Sequence, residues 1–182
     1  LVTGAAGLIG STLINKIKNN QNIIIAIDDL SGGNIDFLKI LIFKRKIIFI
    51  NEDVSKKKFN KKFTNKIKNF KFDEVWLLAA NSDIQKGVLD SYVDFKNTYL
   101  TTFNFLNNIE KNLKKNCKII FTSSSAIYGE NKNKNLLKEN NGPFTPVSNY
   151  GSMKLASEAY ITHFAHKKKL IYQIYRLPNV IG

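Results

Sequence analysis

Tyr150 and Lys154 stand four residues apart in the run Tyr150-Gly151-Ser152-Met153-Lys154. On a helix that spacing puts both side chains on one face. An ammonium beside a phenol favours the charged phenolate, which makes such a pair a usable acid/base near neutral pH. An ordinary helical surface pair has the same spacing, so the pair needs company before it means chemistry. Part of that company is Thr122-Ser123-Ser124-Ser125, which ends an apolar run and reads either as reactive hydroxyls or as a serine-rich turn. The rest lies at the start of the chain, in Gly4-Ala5-Ala6-Gly7-Leu8-Ile9-Gly10. There Gly4 allows a tight turn, Gly7 lets backbone approach a pyrophosphate, and Gly10 lets a helix pack closely on a strand. The helix N-terminus then faces the phosphate charge. A plain strand-to-helix turn could use these glycines too, and their spacing is G-x-x-G-x-x-G rather than G-x-G-x-x-G. Asp28-Asp29 shifts the balance, because an acid about 20 residues beyond such a loop holds the adenosine ribose hydroxyls. Its charge repels a 2′-phosphate and no arginine lies nearby in sequence, so NAD is favoured over NADP. Asp53-Val54 can meet the adenine edge, although an acid at a strand end also serves as a helix cap.

These residues need a scaffold, and the hydrophobic pattern supplies one. Short apolar, β-branched runs predict strands over residues 1–3, 23–27, 46–50, 74–78, 118–122 and 171–175,. Longer amphipathic stretches predict helices over 8–19, 59–69, 92–113 and 149–168,. Regular β-α alternation with continuously apolar strands implies an α/β fold: a doubly wound parallel sheet of Rossmann type with helices on both faces. Residues 130–149, with Gly142-Pro143 and Pro146, predict a surface loop. The sequence starts on the tail of a strand and stops just after one, so it is expected to be most of one domain of a longer protein.

Composition narrows the function. The chain has 182 residues, 43% hydrophobic and 12% aromatic, enough for one packed domain and too much for disorder. A single cysteine, Cys117, excludes a disulfide framework and fits a reducing compartment. It starts an apolar strand and is expected to be buried. His163 and His166, three apart on a helix, have no partnering carboxylates and are expected at the surface. No apolar run reaches the length of a membrane span and no signal peptide is visible, so a cytoplasmic protein is expected. The net charge of +14 comes from 28 basic residues, of which only Arg45 and Arg176 are arginines. Sequence-specific nucleic-acid surfaces depend on the arginine fork, and scattered lysines read as solvated faces. No specific nucleic-acid partner is expected.

Taken in order, residues 3–10, Asp28-Asp29-Leu30-Ser31, Leu78-Ala79-Ala80, residues 123–129, Tyr150 through Lys154 and Arg176 through Gly182 resemble an extended short-chain dehydrogenase/reductase. Within that superfamily the match is to the NAD-dependent nucleotide-sugar epimerases and dehydratases, of UDP-glucose 4-epimerase type. The resemblance implies a pyrophosphate loop of Gly4, Gly7, Leu8, Ile9 and Gly10, with Asp28 and Asp29 on the ribose and Asp53 with Val54 on the adenine. It places Ala79, Ala80 and Asn97 by the nicotinamide and Lys154 on its ribose, where the oxidised ring assists the ammonium in lowering the Tyr150 phenol. Tyr150 becomes the catalytic base, Ser124 the assisting hydroxyl with Ser125 beside it, and Asn179 a contact near the sugar-nucleotide phosphates.

One departure selects among reactions. The family's 4,6-dehydratases follow the catalytic hydroxyl with an Asp-Glu pair, whereas this chain has Ser125-Ala126, which can neither give nor take the protons of water elimination. Epimerisation of a nucleotide sugar at C4 through a transient 4-keto intermediate passes this filter, with a UDP-sugar the preferred substrate. A nucleotide-sugar reductase or dehydrogenase passes it too, and a non-catalytic dinucleotide-binding regulator is the reading outside the enzyme class. The resemblance further implies a smaller C-terminal substrate domain absent from residues 1–182. It also implies a homodimer built from the 92–113 and 149–168 helices.

Overall fold

Six apolar runs form β1 (Val2–Thr3), β2 (Ile25–Asp28), β3 (Ile48–Asn51), β4 (Phe72–Leu77), β5 (Leu113–Ser124) and β6 (Ile171–Leu177). They hydrogen-bond as one sheet in the order β3-β2-β1-β4-β5-β6, every pair parallel. The structure is a computed structural model that describes residues 1–19, 21–130, 136–140, 142–178 and 180. Seven α-helices accompany the sheet among those residues: α1 (Leu8–Ile17), α2 (Lys39–Phe43), α3 (Lys61–Ile67), α4 (Ile84–Leu89), α5 (Ser91–Asp94), α6 (Thr101–Ile109) and α7 (Asn149–Lys168).

Strand alternation sorts the side chains between two cores. Ile25, Ile27, Val75, Leu77, Ile119 and Phe121 meet Phe63 of α3, Phe105 and Ile109 of α6, and Ile161 and Phe164 of α7 on one face. Val2, Ile24 and Ala26 meet Ile14 of α1 and Leu41 of α2 on the other. Fully burying one such aliphatic or aromatic side chain is worth about 1.5–3 kcal/mol. Both faces are therefore covered at the centre of the sheet, where β1 and β2 are buried throughout,, whereas edge strand β6 alternates exposed and half-buried residues. Cys117 is buried, with its thiol pKa pushed up to about 11 by burial. His163 and His166 are exposed on α7.

The expected helix over 92–113 is broken in three places. One π turn, Phe95–Leu100, separates α5 from α6, a 3₁₀ turn spans Glu110–Asn112, and Leu113 already belongs to β5. The Thr101 hydroxyl lies within hydrogen-bond reach of the carbonyls of Thr98, Asn97 and Ala79 at 2.9, 3.2 and 3.3 Å, and a hydroxyl in the ladder widens a helical turn. At the far end, Asn112 Nδ2 donates to the carbonyls of Ile67 and Phe70 at 2.9 and 3.0 Å, so the chain leaves the helix for a strand. Helices α2 and α4 were not legible in the pattern. Ile40 and Phe43 of α2 are exposed apolar residues, the reverse of an amphipathic signature. Six-residue α4 depends on Asp83, whose carboxylate accepts from the Lys86 N–H at 3.1 Å.

Candidate functional site

Strand order reverses between β1 and β4, so the loops leaving their carboxyl ends diverge and open a crevice. Thr3 ties those two ends together. Its hydroxyl accepts from the N–H groups of Leu78 and Ala79 at 3.1 and 3.3 Å. Gly4 follows with φ of +63°, and a methyl there would lie 2.8 Å from Ala79 N. Both the left-handed backbone and the close approach therefore require glycine. Gly10 sits on α1 against the Gly4 carbonyl oxygen, and a methyl would lie 2.9 Å from the Ala5 Cα. The loop is held from the side as well, by Ala5 N–H to the Ile27 carbonyl at 3.1 Å and Asn34 N–H to the Ala6 carbonyl at 2.9 Å.

The crevice is a cleft of about 440 Å³, within the range of small-molecule sites. Gly4, Gly7, Leu8, Ile9, Gly10, Asp28, Asp29, Asp53, Val54, Ala79, Ala80, Asn97, Ser124, Tyr150 and Lys154 all line it. Ser125 does not: it opens a 3₁₀ turn (Ser125–Tyr128) with its side chain exposed, because the chain has left the strand and turned away from the cleft. Asn179 lies outside the described residues. The sequence reading missed Gly32, Gly33, Asn81, Lys86 and Thr101 of the lining, and named Ser31 and Ser123 only as members of their runs. The Ser-Gly-Gly run after Asp29 was an available turn signal, while Asn81 and Thr101 reach the cleft only through the π turn, where the Asn81 N–H donates to Thr98 Oγ1 at 3.2 Å.

At one end of the cleft Asp28 is buried, and its carboxylate accepts from the N–H groups of Ala6 and Leu30 at 2.9 and 2.8 Å. It therefore fixes the glycine loop, with each oxygen keeping a further lone pair. Asp29 is exposed, with one oxygen accepting from Ser31 N–H and Oγ at 2.9 and 2.6 Å. Burial alone would raise the Asp53 pKa, but hydrogen bonds from Ser55 and the Lys96 ammonium, 3.4 Å away, hold it below the usual value. The lining carries five carboxylates, Asp28, Asp29, Glu52, Asp53 and Asp83, against Lys86 and Lys154. This cleft thus opposes the sign of a +14 chain.

At the other end α7 starts over the end of β5. Ser148 caps it, accepting from the Gly151 N–H at 3.0 Å. Tyr150 and Lys154 follow on its cleft-facing side. Lys154 is 2% exposed and donates to the Thr122 carbonyl at 2.6 Å, its Nζ 4.8 Å from the centre of the Phe121 ring and 5.6 Å from that of Tyr150. Burial lowers its pKa to about 7, against a smaller upward pull from Glu158. The Tyr150 phenol is pushed up by burial and then by the Asp94 charge. Lys154 is not among the causes of that shift, and the expected lowering of the phenol needs the oxidised nicotinamide beside the ammonium as well. The Ser124 oxygen accepts from the Ala126 N–H at 3.1 Å, which leaves its own proton to donate.

The profile of the NAD dependent epimerase/dehydratase family matches residues 1–182, the whole chain. The chain belongs to this family. Among its relatives, the UDP-glucose 4-epimerase of Mycolicibacterium smegmatis is 28% identical over all of this chain and 56% of its own length. The UDP-N-acetylglucosamine 4-epimerase of Methanobrevibacter ruminantium, solved with UDP-N-acetylmuramic acid, superposes with a TM-score of 0.83 at 30% identity, covering 100% of this chain and 55% of that one. The Thermus thermophilus UDP-glucose 4-epimerase, solved with NAD, gives 0.81 at 25% identity over 96% of this chain and 53% of that one. The chain spans about half the length of the curated relatives it matches.

The cleft fits the cofactor of an NAD-dependent epimerase. Gly7 has ordinary extended backbone, φ −76° and ψ 172°, and a methyl there would come no closer than 3.4 Å to the protein. Neither conformation nor packing demands glycine, and a side chain here would extend into the cleft. Ser123 Oγ is the one buried side-chain polar atom without a hydrogen-bond partner among the described residues, and it also lines the cleft. Gly7→Val should weaken NAD binding on the order of 10²-fold with only the small loss of melting temperature expected from replacing the glycine that caps α1,. Gly10→Ala should unfold the chain earlier, because its methyl overlaps backbone. Titration calorimetry and thermal melts on both variants distinguish the two roles.

No helix among the described residues is long and apolar enough to cross a membrane.

Proposed function

We propose that this chain is the NAD-binding domain, residues 1–182, of an enzyme that epimerises a nucleotide sugar at C4, with a UDP-sugar as substrate. The observation that carries the reading is the convergence of Ser124, Tyr150 and Lys154 on one cleft with the glycine loop and Asp28. In this reading Gly4, Gly7, Leu8, Ile9 and Gly10 hold the pyrophosphate. Asp28 and Asp29 hold the adenosine ribose, Asp53 and Val54 border the adenine, and Ala79, Ala80 and Asn97 flank the redox end. When bound, NAD supplies the two-electron acceptor and donor for C4 by way of a transient 4-keto sugar. Tyr150, as phenolate, takes the proton of the sugar 4-hydroxyl and later returns it. Ser124, its oxygen engaged by the Ala126 N–H, keeps its proton and donates a hydrogen bond to the same sugar oxygen. Lys154 would hold the nicotinamide ribose and, together with the oxidised ring once NAD is bound, would favour the phenolate. Ser125-Ala126 offers no acid or base for eliminating water. We propose that Asn179 contacts the sugar-nucleotide phosphates.

The test is interconversion of UDP-glucose and UDP-galactose by the full-length protein. Conversion without net change in NADH absorbance is expected. Stoichiometric NADH production or consumption would instead make it a dehydrogenase or reductase. NAD binding without turnover of any UDP-, GDP- or dTDP-sugar would leave a regulator.

We further place the enzyme in the cytoplasm, where the single buried Cys117 thiol stays reduced, and propose that it is a homodimer. The dimer surface is an aromatic stripe. Tyr92, Phe95, Tyr99 and Phe103 stack in series at centroid spacings of 6.0, 5.8 and 5.8 Å, and Phe103 meets Tyr160 of α7 at 4.6 Å. Tyr92 and Phe95 are 59% and 38% exposed, so Tyr92→Glu with Phe95→Glu should halve the mass measured by light scattering without unfolding the protein. A wild-type monomer refutes this assembly.

A further inference from the structure

Arg176, one of two arginines in the chain, makes contacts that none of the chemistry above uses. It lies on β6 in register with Ser123 of β5. Its Nε and Nη2 donate to the two oxygens of Glu158 at 3.1 and 2.9 Å, a bidentate pair. Nη1 donates to the Tyr128 hydroxyl at 3.1 Å and to the Glu139 carbonyl at 2.6 Å. The guanidinium also lies 4.3 Å from the centre of the Phe144 ring and 5.3 Å from that of Tyr128.

Those partners belong to pieces that the reaction must hold in register. Glu158 sits on α7, one turn beyond Lys154 and two beyond Tyr150. Tyr128 ends the 3₁₀ turn whose N-cap is Ser124. Glu139 and Phe144 belong to the segment leading into α7. A second contact joins the same pieces: a methyl at Gly151 of α7 would come 2.6 Å from the Ala126 carbonyl oxygen, so helix and turn touch with no side chain between them. Gly129 meets the Thr145 carbonyl in the same way. None of Arg176, Glu158, Tyr128 or Phe144 lines the cleft.

We propose that Arg176 is a positioning residue: by clamping Glu158 and Tyr128 on one guanidinium, with Gly151 as spacer, it fixes the distance between Tyr150 and Ser124. This role rests on the epimerase reading. Lysine cannot replace it, because a point ammonium keeps the charge but loses the planar fork that reaches both partners. Misplacing a catalytic group by about 1 Å costs on the order of 10²-fold in rate.

The test compares wild type, Arg176→Lys, Arg176→Met and Glu158→Gln as full-length proteins. For Arg176→Lys, kcat is expected to fall roughly 10–100-fold with KM for the UDP-sugar and bound NAD within about twofold. Amide hydrogen exchange should quicken over residues 125–129 and 144–148 while the middle of α7 stays protected. Glu158→Gln should lower kcat in the same direction, and its loss should not add to that of Arg176→Lys in the double variant. An Arg176→Lys enzyme with wild-type kcat overturns the proposal. So does one in which kcat, NAD content and melting temperature fall together, since that marks a purely structural residue. If Arg176→Met does not fold, Arg176→Lys decides alone. If the wild type interconverts no UDP-sugar, the epimerase reading fails and exchange decides the clamp: unchanged exchange in Arg176→Lys refutes it.

Discussion

Replacing Tyr150 by phenylalanine in the full-length enzyme is expected to lower turnover by about 10²–10⁴-fold, the span that one positioned acid/base contributes. The bound NAD should be retained. The phenol oxygen is the only atom removed, and the ring remains to fill the start of α7. Burial and the Asp94 charge push the phenol up, so at neutral pH it is protonated and the reactive phenolate is scarce. Turnover should therefore climb with pH as the phenol ionises, and Tyr150→Phe should flatten that limb. Rapid-mixing assays across pH on wild type and variant measure both effects. A Tyr150→Phe enzyme with near-normal turnover removes Tyr150 from the chemistry and returns the Tyr-Lys spacing to an ordinary helical pair.

Lys154→Met should act on stability and activity in opposite directions. With no cofactor added, Lys154 is buried, and burial depresses its pKa to about 7 from 10.5. The sign follows from proton counting. Between those two values the unfolded chain holds a proton that the folded chain has lost, so stability from this group rises with pH across that window. Below about pH 7 both states are protonated and the folded state carries the full cost of a buried ammonium, on the order of a few kcal/mol. Methionine has no charge to bury, so Lys154→Met should melt higher than wild type at pH 6, and the gap should shrink toward pH 10. Turnover should nevertheless fall by orders of magnitude, because no ammonium is left to favour the phenolate. Melting curves on the cofactor-free proteins across pH check the first half and kinetics the second. A variant less stable than wild type at pH 6 would mean that the bond to the Thr122 carbonyl outweighs the desolvation.

Much of the molecule was written locally. Short apolar runs located all six strands, although β5 begins five residues earlier than expected, because Lys114-Lys115-Asn116 carry no apolar signal. Helix α7 matched its expected bounds at both ends, with Ser148 as its cap and Lys167 and Lys168 in its last turn. The glycine loop, Asp28, Tyr150 and Lys154 were legible in spacing, since a close backbone approach or a fixed helical spacing restricts residue type at single positions, whereas Ser124 was singled out only through the family resemblance. Tertiary structure decided what depends on distant partners. Thr101 breaks a helix that periodicity read as continuous, through hydroxyl contacts that include the Ala79 carbonyl far away in sequence. Asp28 turned out to brace the glycine loop as well as face the cleft, which only the Ala6 N–H reveals. The Lys154 ammonium is aimed at a carbonyl of β5, and the phenol beside it is raised by its own burial and by Asp94. Arg176 lay just past an expected strand, with no role of its own in the sequence, until Glu158, Tyr128 and Phe144 met around it. Local pattern records what a residue does to its own backbone, whereas pKa, bracing and clamping come from neighbours that the chain brings together only by folding.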